Sequence, residues 1–168
     1  MSNTHINDPR DLFLHELGDI LYVERSLADE ALPKLIGEVQ DAEFKSGLEK
    51  HLEQTQRHVT NVEKVFEILG ETPHEEECVA FEGLKKEHEE MIKESSSSLI
   101  DLVDLGAAAR TENYEIAAYE TLRRMAKALG EDDAVALLDE NLKQEKDALN
   151  IVERIATRVS KDKVAATV

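Results

Sequence analysis

Apolar residues return every three or four positions along most of the chain, and the two-residue alternation of a half-buried strand is missing, so the pattern predicts helices throughout. The first stripe runs Phe13, Leu17, Ile20, Leu21, Leu27, Ala28, Ala31 and Leu35. It follows Asp8 and Pro9, a capping acid and a proline at the first helical position, and predicts a helix over 9–38. Pro33 falls inside that stripe, where its missing N–H and its ring oppose the preceding turn, so the helix should kink or end early there.

A second stripe, Leu48, Leu52, Thr55, Val59, Val62, Phe66 and Leu69, predicts a helix over 41–69 that Gly70 stops. Thr72, Pro73 and Glu75 read as the start of a short charged helix reaching Glu94, with Phe81, Leu84 and Met91 as its apolar contacts. The serines at 95–98 break it and cap a third long helix over 98–129, closed by Gly130. Asp132 or Asp133 caps the fourth, whose stripe of Leu138, Leu142, Leu149, Val152 and Ala156 fades near Lys161. Short turns inside each pair and a long connection between the pairs describe an all-α, single-domain four-helix bundle over 1–168, with a crossover that carries a short fifth helix.

The stripes contain residues that do not belong on them. At about 100° per residue, Ala108, Tyr119, Leu122 and Ala126 all lie within roughly 40° of Glu115, so this apolar face is centred on a carboxylate. Glu24 sits in the same way among Leu17, Ile20, Ala28 and Ala31, and Glu145 among Leu138, Leu149, Val152 and Ala156. An ionised carboxylate taken out of water is costly unless paired. Three at once, with almost no basic residue on a core-facing position, point to a shared cation.

On the second helix Thr55 holds the stripe centre. His51 and His58 lie about 40° to 60° to one side, Gln54 about 100° away, and Glu53 points to solvent. Glu112 lies one turn before Glu115, giving an E-x-x-E pair able to chelate or bridge, whereas Tyr114 and Tyr119 read as packing residues. Thirty residues separate Glu24 from Gln54, and the same thirty separate Glu115 from Glu145, as two hairpins related by a pseudo-twofold would require.

Charge narrows the function. Thirty-seven acidic against twenty basic residues leave a net charge of −17, which repels phosphate backbones and anionic lipid surfaces, so neither nucleic acid nor membrane is an expected partner. No apolar run approaches a signal-peptide core or a membrane span, which leads to the expectation of a cytoplasmic protein. Cys78 stands alone, precluding an internal disulfide or a thiolate cluster, and reads as a small buried apolar residue.

The segments LYVERSL around Glu24, HLEQTQRHV around Thr55, ENYEIAAYETL around Glu115 and QEKDAL around Glu145 resemble the ferritin-like stress proteins of the YciE and YciF type over nearly the whole chain. The resemblance implies a ferritin-like bundle, a homodimer, and one or two iron or manganese ions held between carboxylates. It also implies a role in stress physiology, with peroxide, oxygen or iron handling as the chemistry. By position it assigns Glu24, Glu115 and Glu145 to the metal, to which the E-x-x-E spacing adds Glu112 as a candidate. The family's second-helix acid falls at Gln54, a neutral oxygen ligand, with His58 four residues later, and the fourth helix carries no histidine near Glu145. A non-enzymatic stress protein with a degenerate metal site, acting through self-association, is the alternative.

Overall fold

The computed structural model describes residues 5–166. The Asp8 carboxylate accepts from the backbone N–H groups of Arg10 and Asp11, at 2.8 and 2.9 Å, and opens α1, Pro9–Ser26. Pro33 exerts its effect one turn upstream of itself. The chain widens into a π turn over Leu27–Ala31, closed by Leu32 N–H on the Leu27 carbonyl, and then resumes as α2, Leu32–Glu38. The proline thus occupies the first turn of a new helix, where a missing donor is tolerated.

Asp41 caps α3, Ala42–Ile68, by accepting from Phe44 N–H at 3.0 Å. Gly70, at φ +73°, turns the chain out of it. The next helix starts later than its sequence suggests. Thr72 and Pro73 lie in a segment without regular structure, and α4 is Val79–Glu94, capped by the Cys78 sulfur on Phe81 N–H. What holds the segment open is α1: Glu76 N–H donates to the Gly18 carbonyl at 3.1 Å, and a side chain at position 18 would collide with His74 and Glu76.

The serine run does not cap by its side chains. It forms a 3₁₀ turn over Ser97–Leu99 that leads into α5, Ile100–Leu129. After Gly130, at φ +81°, α6 spans Asp132–Ala165, some residues beyond the expected fading point. Asp132 and Asp133 stand in its first turn rather than before it, where they favour the helix dipole without capping it.

Contacts between distant residues fix the topology. Arg10 at the start of α1 reaches the Leu69 carbonyl and Glu71 after the end of α3, so α1 and α3 are antiparallel. Gln40 N–H donates to Asp101, which puts the starts of α3 and α5 at the same end. Arg158 meets Asp41 and Glu43, bringing α6 back to that end. Helices α1 and α6 each pack against both α3 and α5, and α4 lies on α5. The result is a ferritin-like four-helix bundle whose crossover carries α4; no strand occurs among the described residues.

Candidate metal centre

The four long helices each deliver at least one polar side chain to the middle of the bundle. Glu24, Glu115, Glu145 and His58 are fully buried, Glu112 and His51 nearly so. Their ligand atoms fall into two groups, each within 4.8 Å: His51, Glu112, Glu115 and Glu145 form one, and Glu24, His58 and Glu145 the other. Glu145 belongs to both.

Helix α3 contributes through its histidines. A spacing of seven returns a helix to nearly the same direction, so His51 and His58 face the centre two turns apart. His58 Nδ1 lies 2.8 Å from Glu145 Oε1 and 3.3 Å from Glu24 Oε1, and neither contact meets hydrogen-bond geometry. Its other nitrogen, Nε2, lies 3.0 Å from Gln144 Oε1. If Nε2–H donates there, Nδ1 is left with its lone pair aimed at the two glutamates, the arrangement of a metal-ligating imidazole oriented from behind. His51 Nε2 lies 3.3 Å from Glu112 and 3.9 Å from Glu145.

The protein alone does not satisfy this cluster. Both oxygens of Glu115 and of Glu145, and one each of Glu24 and Glu112, are buried without a hydrogen-bond partner. Such atoms are rare in folded proteins and costly. Burial, reinforced by the neighbouring carboxylates, holds Glu115 well above the ordinary carboxyl range; Glu112 is raised too, chiefly by burial, against the pull of His51. Burial also opposes charging of His58, but Glu24 and Glu145 prevail and raise it to about 11. His51 is lowered by burial. Four carboxylates with two neutral imidazoles would be balanced by two divalent cations, and a set of hard oxygens with imidazole suits such ions. The residues present therefore fit a metal, and the buried cluster could hold one.

Around the cluster runs a polar chain. Tyr119 donates its hydroxyl proton to Glu24, Asn141 donates to the Tyr119 oxygen at 3.0 Å, and Asn61 donates to Asn141 at 2.8 Å. The sequence pattern marks Tyr119 as packing; the structure adds a role in orienting Glu24. Glu53 is exposed, as its angle implies, and Gln54 is half-buried beside His51. The equal spacing does not make the halves equivalent. Where one hairpin presents Glu145 at the centre, the other presents Gln54 at the margin, and its α3 acts through His51 and His58 instead. Tyr114, partly buried, hydrogen-bonds Asp19 and Cys78, away from the cluster.

Fold and site together define a ferritin-like bundle with a buried carboxylate–histidine centre. The model of a family described as a domain of unknown function, DUF892, matches residues 8–165, and the chain belongs to that family. Protein YciF of Escherichia coli strain K12 is 34% identical over 138 residues, covering 81% of this chain and 82% of its own. Among solved structures, YcfI from Rhodopseudomonas palustris, described as a structural protein, superposes with a TM-score of 0.86 at 37% identity, covering 91% of this chain and 98% of its own. The E. coli stress protein YciF gives 0.85 at 31% identity, over 93% and 99%. A protein from Xanthomonas campestris pv. campestris, at 16% identity and a TM-score of 0.74 over 96% of this chain and 99% of its own, shares the fold.

Proposed function

We propose that the chain is a cytoplasmic, homodimeric stress protein whose single bundle holds two iron or manganese ions and uses them against oxygen or peroxide. The observation that carries this reading is the pair of ligand groups joined at Glu145, with six buried carboxylate oxygens that no protein atom satisfies. Glu24 and His58 would hold one ion, Glu112, Glu115 and His51 the other, and Glu145 both. The half-buried Gln54 lies beside His51 and supports it rather than replacing it.

When bound, such ions would supply reversible one-electron chemistry among buried side chains. The chain's own residues would do the rest. Gln144 orients His58, and Tyr119, steadied by Asn141, orients Glu24 and keeps a proton within one hydrogen bond of the ligand set. Similarity to a stress protein supports the physiological role.

Metal analysis of protein purified without chelators, followed by Fe(II) and Mn(II) titration, tests the reading. About two ions per chain in wild type and none in Glu145→Ala is the expected result; a chain that binds neither metal would sink it. The second reading, a non-enzymatic protein acting by self-association, draws on the structural description of YcfI and on the raised carboxyls of Glu112 and Glu115, which tolerate burial when protonated.

A further inference from the structure

A cavity of about 160 Å³ runs from the surface beside α2 and α4 into the bundle, with room for several water molecules. Glu30, Glu38 and Glu89 at its rim are matched by Lys34, Lys50 and Lys85, so the mouth carries little net charge of its own. What distinguishes the cavity is where it ends. Its inner end is formed by His51, Glu112 and Glu115.

These residues belong to one of the two ligand groups, and the cavity does not reach the other. His51 and Glu112 keep 8% and 6% of their side-chain surface exposed, whereas Glu24, His58 and Glu145 keep none and do not line the cavity. An ion moving inward would therefore meet His51 and Glu112, 3.3 Å apart, before any other ligand, and would find Glu24 and His58 only beyond Glu145. Taking an ion through packed apolar side chains carries the full desolvation cost, so a water-sized passage that ends on ligands is the cheaper route. Two small residues leave the approach open. Gly47 and Ala108, each one turn before His51 and Glu112, line the cavity, and a Cβ at position 47 would touch only Ile151 Cγ2, at 3.7 Å.

We propose that this cavity is the passage by which divalent cations enter and leave the centre, so that the position formed by His51, Glu112, Glu115 and Glu145 fills first and empties first, while the position of Glu24 and His58 is reached through it. The two positions are then unequal: one is open to exchange, the other is sealed behind it. The inference rests on the metal reading and adds to it a route and an order.

Mn(II) uptake by metal-free full-length protein, followed through the loss of the free-ion EPR signal, tests the route. Ala108→Phe and Gly47→Met obstruct the passage from two helices without touching a ligand, and each should slow uptake by at least about tenfold while equilibrium Mn(II) affinity stays within about twofold of wild type. Leu84→Ala, which widens the passage, should not slow it. Release of Mn(II) from loaded protein into excess chelator tests the order: wild type should empty in a fast and a slow phase, and His58→Ala should keep the fast phase alone. Uptake as fast as wild type in both obstructed variants, or a rate that falls only in step with affinity, would overturn the route. A His58→Ala variant that keeps only the slow phase, or neither, would overturn the order. Should Ala108→Phe fail to fold, Gly47→Met decides. A wild type that binds no Mn(II) removes the metal reading and this inference together, whereas normal affinity with unslowed uptake removes this inference alone.

Discussion

Glu115 has no protein partner for either of its oxygens, and at that scale the chemistry of the site is a contest between protons and metal ions. In metal-free protein the folded-state pKa values of Glu112 and Glu115 are raised, so each contributes stability that is present below the ordinary carboxyl value and lost as pH rises through the raised one. His58, raised to about 11, acts in the same direction, and only His51, lowered by burial, opposes them below about pH 6.5. Metal-free protein should therefore melt higher as pH falls from about 8 to about 5, whereas metal-loaded protein should melt lower because protons displace the ions. Melting curves of both forms check the opposite slopes, and Glu115→Gln should flatten the metal-free one. Gln144 tests the orientation of His58: Gln144→Ala should weaken Mn(II) binding by about ten- to a hundredfold, as loss of a partner behind a metal-ligating histidine does, with little change in the metal-free melting point. Unchanged Mn(II) affinity would mean that His58 does not ligate through Nδ1.

Among the elements, the long helices were legible because their apolar stripes agree with the Asp8 and Asp41 caps and with the glycine stops at Gly70 and Gly130. The same arithmetic exposed Glu24, Glu115 and Glu145, each at a stripe centre, where a carboxylate contradicts its surroundings. It could not decide His51, His58 or Glu112, which lie tens of degrees off centre, because an angle within one helix does not say which neighbour closes over it. Asp104 of α5, buried and paired with His88 of α4, was invisible for a related reason. The late start of α4 also has a tertiary cause, the passage of residues 71–78 over Gly18. That contact yields a prediction. An added Cβ at position 18 would stand 2.9 Å from Glu76 Cγ, 3.2 Å from Glu76 N and 3.3 Å from the His74 carbonyl oxygen, and two of these atoms are backbone. Gly18→Ala should thus cost about 1–3 kcal/mol in a denaturant titration, by pushing the crossover off α1. A neutral result would show that the segment yields freely and does not clamp α1.

For the whole molecule, a chain of net charge −17 encloses four of its glutamates in the middle of the bundle, and no described lysine or arginine is buried with them. The bundle brings these carboxylates together by packing Leu, Val and Phe around them, and their mutual repulsion in a low dielectric works against that packing. A divalent cation bound only by the folded state reverses the effect. At about a hundred times its dissociation constant it should stabilise the fold by roughly 2.7 kcal/mol through mass action. Chelation should accordingly lower the melting point of protein verified to contain metal. Glu145 is the residue on which both ligand groups depend, so Glu145→Ala should lose nearly all chelator sensitivity. Its metal-free form should melt close to the metal-free wild type, since the removal of one buried carboxylate is offset by the hole it leaves and by the loss of one of the two charges that hold His58 protonated. Calorimetry of the two proteins with and without chelator supplies the four melting points required. A wild-type curve that chelator leaves unmoved would place the metal elsewhere, and the self-associating reading, with the core acids held protonated, would then account better for a bundle that buries them.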